Sequence, residues 1–360
     1  MNVDNSFKEY FNGRLHQVFL YLTDACQLRC EQCLYKTILA QREMDLKATL
    51  EMIEIFRNYG AEKLTLIGGE PTLYGYEQMN RPLFKVIEKA KELNYKYIRL
   101  DTNGLFRKEL LLNSSFQKLD NLAFSLDGHK PEINDLLRGK KTFGKSIKRI
   151  IDALELNYYV TLTACIHPEN IYHIEDMIDF FTNLGIKEFN MHPLFKMGIE
   201  RDSFSGNTHI PPKEWLKIYK QMRTNIDAGK YKIQIRIPQR FIDYFLYNQS
   251  PEMYNYCPVK MGERILVHPN GEMRICALCI GSSYTIAHYN YREIIFSTLY
   301  SEVYAERLKL NPCMSQTKDF GDITPLCISF KPFQKEYIWE NQKFDDKFLS
   351  TQITKSELQF

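Results

Sequence analysis

The chain has 360 residues, more than a single small domain needs and enough for a large hydrophobic core. With 47 basic and 44 acidic residues the net charge is +3, so we expect neither a nucleic-acid footprint nor a basic membrane-binding patch. Hydrophobic residues make up 44%, no apolar run is long enough to span a membrane, and the N-terminus lacks a signal-peptide pattern, so we expect a cytoplasmic globular protein.

Strand and helix patterns alternate through the first half of the sequence. The segment QVFLYLT, residues 17–23, reads as a buried strand, and a helix with one apolar face follows it from Asp45, the expected N-cap, to Gly60. Further strands are expected in the segments KLTLI, YKYIRL, NLAFSL, VTLTACI and KEFNMH. The helices between them are expected around Leu83 to Leu93, as a short helix after YKYIRL, around Phe143 to Leu154, and around Ile174 to Phe181. About six alternations across residues 17–195 predict an α/β fold, a partial (βα)6 TIM-like barrel with a parallel sheet.

Beyond residue 195 the alternation stops, and the chain divides into parts of different composition. Residues 1–16 read as an N-terminal extension, and residues 196–250 as a linker with connecting elements, among them a helix from Pro212 to Asp227 and the strand YKIQIRI. Residues 251–335 read as a small cysteine-rich C-terminal domain, and residues 336–360 as a polar tail. Within the cysteine-rich part, ERILVHPNGEMRIC predicts an antiparallel hairpin that turns at Asn270 and Gly271.

Three of the nine cysteines stand close together directly after the first strand. Cys26, Cys30 and Cys33 have the spacing C-x3-C-x2-C. Because cytosolic thiols are kept reduced, clustered cysteines indicate metal binding or catalysis rather than disulfides. Three thiols are one fewer than the four ligands of a structural zinc site or of a [4Fe–4S] cluster. The triad by itself therefore indicates a metal centre and leaves its fourth ligand open.

Small and polar residues follow the next three strands, where the active site of a parallel barrel gathers. The segments are GGEP (68–71), DTNG (101–104) and SLDG (125–128). Gly68 and Gly69 lack a Cβ and would let the backbone approach a ligand closely, and Glu70 can accept hydrogen bonds from an ammonium group. The alternative for all three segments is plain turn chemistry.

This combination of a cysteine triad and GGEP resembles the radical SAM superfamily over roughly residues 17–195. The resemblance implies a [4Fe–4S] cluster on the triad, with S-adenosylmethionine binding the fourth iron through its amino and carboxylate groups. It implies that Glu70 accepts hydrogen bonds from the methionine ammonium and that Ser125 and Asp127 hold the ribose or the methionine carboxylate. The full set of implied cofactor contacts is Gly68, Gly69, Glu70, Pro71, Thr102, Asn103, Ser125 and Asp127. Gln32 departs from the aromatic residue that many members carry before the third cysteine, so Tyr35 is expected to cover the cluster instead.

The tail cysteines resemble the SPASM extension of that superfamily, or its shortened form called twitch. The tail has fewer cysteines than a full SPASM domain, which implies one auxiliary [4Fe–4S] cluster. Cys257, Cys276 and Cys327 are the expected ligands, and Cys279 and Cys313 are alternatives for the fourth place. Zinc is the alternative occupant, because thiolate sets also suit zinc.

The resemblance implies that S-adenosylmethionine is cleaved to a 5′-deoxyadenosyl radical that takes a hydrogen atom from a substrate, with a flavodoxin or a ferredoxin as electron donor. We expect a peptide or protein substrate that is modified after translation. The short stretch before the triad leaves no room for a leader-binding domain, so a separate leader-peptide-binding protein would be needed. The alternative substrate is a small sugar or aminocyclitol that is dehydrogenated or epimerised. A structural zinc-binding protein would be another class of function, but it explains the tail and not GGEP.

Cys165 is the one thiol outside both cysteine groups. Period-two alternation puts it on the same strand face as Thr161 and Thr163. If that face points into the barrel, the thiol could return a hydrogen atom to a substrate radical. The alternative is a small residue that packs in the core.

Overall fold

The computed structural model of the protein describes residues 2–11, 13–33, 35–36, 39–194, 210–237, 240–249, 262–274, 285–290, 293–296 and 323–326. The described strands are β1 (Asn2–Val3), β2 (Gln17–Thr23), β3 (Lys63–Gly68), β4 (Tyr97–Thr102), β5 (Asn121–Ser125), β6 (Val160–Ile166), β7 (Glu188–Pro193), β8 (Gln234–Arg236), β9 (Arg240–Asp243), β10 (Arg264–Val267), β11 (Glu272–Arg274), β12 (Thr285–Tyr289), β13 (Glu293–Phe296) and β14 (Ile323–Leu326). The described α-helices are α1 (Asn5–Phe11), α2 (Leu46–Asn58), α3 (Arg81–Glu92), α4 (Pro131–Arg138), α5 (Thr142–Glu155), α6 (Ile174–Asn183), α7 (Pro212–Asp227) and α8 (Tyr244–Gln249).

The six predicted strands β2 to β7 pair in chain order, and every pair is parallel. Helices α2, α3, α5 and α6 lie in the connections between them. The predicted α/β architecture with a parallel sheet, a partial barrel, is confirmed. Because the carboxyl ends of all six strands lie at one edge, the loops after them meet there.

The sheet continues beyond these six strands on both sides. Strand β8 pairs parallel with β7, in the register Glu188↔Gln234, and β10 pairs parallel with β2, in the register Arg264↔Gln17. The predicted hairpin is confirmed as β10 and β11, which pair antiparallel with Gly271 in the turn at φ +86°. Strands β12, β13 and β1 complete a sheet of 12 strands, while β9 and β14 form a separate antiparallel pair. The described part of the tail therefore extends the barrel sheet.

Local sequence signals account for most of the helices. The Asp45 carboxylate accepts a hydrogen bond from the Ala48 amide at 2.9 Å, which confirms it as the N-cap of α2. The short helix expected after β4 is instead a pair of 3-10 turns, Lys108–Leu112 and Phe116–Lys118. Between them the Asn113 side chain accepts from the amides of Ser115 and Phe116, which competes with a continuous helix. Helix α4, which begins at Pro131 and ends at Arg138 with Gly139 as its C-cap, was not predicted.

Strand residues alternate between a helix-facing core and the inside of the barrel. In β6 the side chains of Leu162, Ala164 and Ile166 are fully buried, whereas those of Thr163 and Cys165 between them are only partly buried. No described helix combines the length and the apolar composition that crossing a bilayer requires.

Candidate active site

The loop after β2 carries the predicted cysteine triad. Cys26, Cys30 and Cys33 are free thiols of intermediate burial. The Cys26 Sγ accepts hydrogen bonds from the Leu28 amide at 3.4 Å and from the Asn103 Nδ2 at 3.9 Å. Burial raises the pKa of Cys26 to about 12 and that of Cys30 to about 11. The thiols are therefore neutral in the free protein and would release protons when a metal binds.

A buried ion pair lies against this loop. The Arg138 Nε is 2.6 Å from the Asp127 Oδ2, and the two side chains are 10% and 0% exposed. The positive charge of Arg138 lowers the pKa of both Cys30 and Cys33, against the raising effect of burial. Arg138 therefore favours the thiolate form that binds metal. Arg138 was not predicted as a site residue, because it lies at the end of α4, a helix that the sequence pattern did not indicate.

Asp127 is the centre of a polar network that includes Gln32. Its Oδ2 accepts from the Gln32 Nε2 at 2.7 Å, and its Oδ1 accepts from the Cys165 amide at 2.7 Å. At the position where an aromatic residue was expected, Gln32 thus ties the cysteine loop to the end of β5. The predicted contact of Asp127 with the cofactor remains a prediction, and a ligand would compete with these three partners.

The two glycines of GGEP are required by a close approach within the chain. A Cβ on Gly68 would lie 2.4 Å from the Thr23 carbonyl oxygen, and one on Gly69 would lie 2.3 Å from the Ala25 carbonyl oxygen. The amides of Gly69 and Glu70 donate to these same two carbonyls, at 2.7 and 2.8 Å. A larger residue at either position would separate the end of β3 from the start of the cysteine loop. The close contact between these two segments therefore requires glycine, whether or not a ligand lies nearby.

Glu70 connects the ends of β3 and β4. Its Oε1 accepts from the Thr72 amide at 3.2 Å, the Thr72 Oγ1 at 2.7 Å and the Thr102 Oγ1 at 2.8 Å, and its Oε2 accepts from the Asn103 amide at 2.8 Å. The residue is 1% exposed, and this burial raises the pKa of its carboxyl group, against the effect of the hydrogen bonds. The Oε2 has one donor in the structure and the Oε1 has three, so the Oε2 is the oxygen that can take a further donor, such as an ammonium group.

The other predicted cofactor residues lie around the same edge of the sheet. Thr102 and Asn103 are buried, and Asn103 bridges Glu70 and Cys26. Pro71 is buried in the turn after Glu70, while Ser125, the last residue of β5, is partly exposed. The structure therefore brings Glu70, Thr102 and Asn103 together with the cysteine loop, as expected for one cavity.

Residues 20–181 match the model of the Radical SAM superfamily. This part of the chain is a radical SAM domain. Among curated proteins it is similar to the probable GTP 3′,8-cyclase of Sulfolobus acidocaldarius, with 28% identity over 216 residues, and to the GTP 3′,8-cyclase of Aquifex aeolicus, with 32% identity over 173 residues. These matches cover 56% and 46% of this chain, and 63% and 52% of the relatives, so less than two thirds of either relative is matched.

Solved radical SAM structures share the fold. The crystal structure of Streptococcus suis SuiB bound to S-adenosylmethionine superposes with a TM-score of 0.56 at 16% identity, covering 75% of this chain and 63% of that one. The structure of anSMEcpe with bound AdoMet and the Cp18Cys peptide superposes with a TM-score of 0.60 at 19% identity, covering 85% and 83%. At these identities the comparison establishes the architecture of the radical SAM domain and no further detail.

The inside of the radical SAM barrel is polar. The Arg99 Nε and the Asp101 Oδ1 of β4 form an ion pair at 2.5 Å. Burial and the positive charge of Arg99 lower the pKa of His192, on β7, to about 4, so its imidazole is neutral at pH 7. Cys165 pairs in register with His192, and burial raises the pKa of its thiol. Arg99 and His192 were not predicted as site residues, because no local motif links residues on separate strands.

The described part of the tail reaches the triad side of the radical SAM domain. The hydroxyl of Tyr35, expected to cover the cluster, hydrogen-bonds the hydroxyl of Tyr21. The Tyr21 ring stacks on His268, which follows β10, with 4.2 Å between ring centroids and 18° between ring planes. The expected auxiliary ligands lie outside the described residues, so that cluster stays a prediction. They are Cys257, Cys276, Cys279, Cys313 and Cys327.

Proposed function

We propose that this protein reductively cleaves S-adenosylmethionine and takes a hydrogen atom from a C–H bond of its substrate. The supporting observation is the C-x3-C-x2-C loop at the carboxyl ends of a parallel barrel, beside Glu70 and Asn103. Three free thiols on one loop, with the Arg138 charge nearby, fit a [4Fe–4S] cluster that keeps one iron for the cofactor. When bound, the cluster and S-adenosylmethionine together supply the electron transfer that yields methionine and the 5′-deoxyadenosyl radical.

The residues of the chain bind, orient and shield in this proposal. The thiolates of Cys26, Cys30 and Cys33 would be the ligands of the [4Fe–4S] cluster. The positive charge of Arg138 favours this thiolate form. The free acceptor position of the Glu70 Oε2 would take the methionine ammonium. The barrel walls hold the substrate close to the radical and exclude competing hydrogen donors and water.

The test is metal analysis with two matched sets of variants. Replacing Cys26, Cys30 and Cys33 together by Ala should remove about four irons per chain and abolish formation of 5′-deoxyadenosine. Cys257→Ala or Cys276→Ala should also remove about four irons, yet 5′-deoxyadenosine should still form without substrate turnover. Unchanged iron in the triad variant would contradict the proposal, and a colourless protein that contains zinc would favour a structural role.

We infer a peptide or protein substrate. The support is the shared fold of two solved structures described as peptide-bound, SuiB with its precursor peptide SuiA and anSMEcpe with Cp18Cys. This reading includes a separate leader-peptide-binding protein and a flavodoxin or ferredoxin as electron donor.

A small polar metabolite is the second candidate substrate. It is favoured by the charged barrel interior, with Arg99, Asp101 and the neutral His192 available for hydrogen bonds. Anaerobic turnover with deuterated candidates decides between them, because the true substrate transfers deuterium into 5′-deoxyadenosine and the other does not.

A further inference from the structure

A basic cavity of about 530 Å³ lies beside the cysteine loop. We call it the basic cavity; its walls come from Gln27, the turn after β3, the segment after β4 and the first half of α5. Its cationic residues are Arg107, Lys145, Lys148 and Arg149. None of the described residues that line it carries a carboxylate.

Three of the four positive charges have no ion pair within the described part of the chain. The Arg149 Nη1 pairs with Asp152 at 2.7 Å, and the Arg107 guanidinium lies over the Tyr76 ring at 4.6 Å from its centroid. Lys145 and Lys148 are exposed on α5, and no ion pair involves either of them within the described part of the chain. The mouth of the basic cavity therefore carries a positive potential that attracts an anionic partner.

Exposed apolar side chains lie on two of the segments that contribute to the walls of the basic cavity. Tyr76 and Met79, in the turn after β3, are 44% and 62% exposed, and Leu112, in the segment after β4, is 58% exposed. Aromatic, methionine and arginine residues are typical of protein–protein interfaces. This composition favours a protein partner over a small anion, which would need only the charges.

The basic cavity adjoins the cysteine triad through Gln27. This residue follows Cys26 directly in the chain, and its Nε2 donates to the Leu105 carbonyl at 3.1 Å and to the Asn103 Oδ1 at 3.4 Å. A protein bound at the basic cavity would therefore lie against the loop that holds the triad.

We propose that the basic cavity is the docking site of an acidic one-electron carrier protein of the flavodoxin class. The inference rests on the proposed function, in which the carrier gives up one electron and the sulfonium of S-adenosylmethionine accepts it as its S–C5′ bond breaks. Charge attraction orients the two proteins, and the exposed apolar residues bury surface when they meet.

The test is calorimetric binding of an oxidised flavodoxin to the reconstituted enzyme, at about 50 mM and about 200 mM salt, since screening separates charge attraction from apolar contact. The variant Lys145→Glu/Lys148→Glu should bind about tenfold more weakly than wild type and show a smaller salt dependence. The control Lys47→Glu/Lys217→Glu changes two exposed lysines of α2 and α7 and gives the same net charge, and it should stay within about threefold of wild type.

Equal weakening in the two variants would assign the effect to overall charge and overturn the proposal, as would wild-type affinity in the cavity variant. Pyrophosphate serves as the small-anion probe. If its binding is lost in the cavity variant while flavodoxin binding is unchanged, the basic cavity is a small-anion site instead.

Dithionite, a small reductant that needs no docking site, separates this inference from the proposed function. With dithionite all three proteins should cleave S-adenosylmethionine equally, and with reduced flavodoxin only the cavity variant should slow down. A wild-type enzyme that is inactive with dithionite would overturn the proposed function, and the affinities would then decide the docking site alone.

Discussion

Replacing Glu70 tests how the ends of β3 and β4 are held together. Its carboxylate accepts hydrogen bonds from two backbone amides, those of Thr72 and Asn103, and from two threonine hydroxyls. In Glu70→Ala the hydroxyls can rotate toward other acceptors, but the two amides are fixed in a buried site. A buried donor without a partner costs about 1–3 kcal/mol, so the free energy of unfolding should fall by about 2–6 kcal/mol.

Glu70→Gln should have a smaller effect. The side-chain oxygen of the introduced glutamine can accept the hydrogen bonds that the Oε1 of Glu70 accepts, but its NH2 group would then face the Asn103 amide, which is also a donor. One buried donor is left without a partner, so we expect the free energy of unfolding to fall by about 1–3 kcal/mol. Anaerobic urea unfolding followed by circular dichroism measures both losses. Glu77→Ala, an exposed carboxylate in the neighbouring turn, is the control and should change stability by less than about 0.5 kcal/mol. If Glu70→Ala unfolds at the same urea concentration as wild type, the proposed connection is wrong.

The same variants test the cofactor contact of Glu70. If the Oε2 also binds the methionine ammonium, both variants should keep full iron but bind S-adenosylmethionine more weakly by about 1.5–3 kcal/mol. Equilibrium binding to the reconstituted enzyme measures this loss. Wild-type affinity in Glu70→Gln would limit Glu70 to its structural role.

Three further predictions concern buried charges and Cys165. Arg138→Met leaves the Asp127 carboxylate buried without its cation and should lower the free energy of unfolding by about 3–5 kcal/mol. Thermal unfolding of the double variant Arg138→Met/Asp127→Asn should show a loss smaller than the sum of the two single losses. Additive losses would show that the two side chains do not stabilise each other. Burial lowers the pKa of His268 from 6.5 to about 3, so the unfolded chain takes up the proton first and stability falls as the pH drops from about 6.5 toward 3. At pH 5 the free energy of unfolding should be about 2 kcal/mol lower than at neutral pH because of His268. His268→Phe should not show this loss, and unfolding curves with the same pH dependence in both proteins would refute the prediction. Cys165→Ala should still cleave S-adenosylmethionine; if the protein is an epimerase, the variant should lose the single solvent deuterium that the wild-type product gains, and full wild-type product would leave Cys165 as a packing residue.

Local patterns in the sequence determined the strands, most of the helices and the triad. Short apolar segments that alternate with helical patterns identified β2 to β7, because the strands of a parallel sheet bury their apolar residues against the crossover helices. The cap at Asp45 and the turn at Gly271 were also predictable, since each depends on one residue and its immediate neighbours. The cysteine spacing and the GGEP segment are likewise local, which is why the resemblance to the superfamily could be read from two short loops.

Only the tertiary structure decided which side chains meet. Gln32 and Asp127 are 95 residues apart in the chain, and Arg264 hydrogen-bonds Gln17 across 247 residues. Partners of this kind depend on sheet register and on the exit direction of each loop, and a periodic pattern carries neither. The two glycines of GGEP illustrate the difference. The sequence indicated that another group approaches the backbone closely at these two positions. Only the pairing of β2 with β3 showed that the approaching groups are the Thr23 and Ala25 carbonyls.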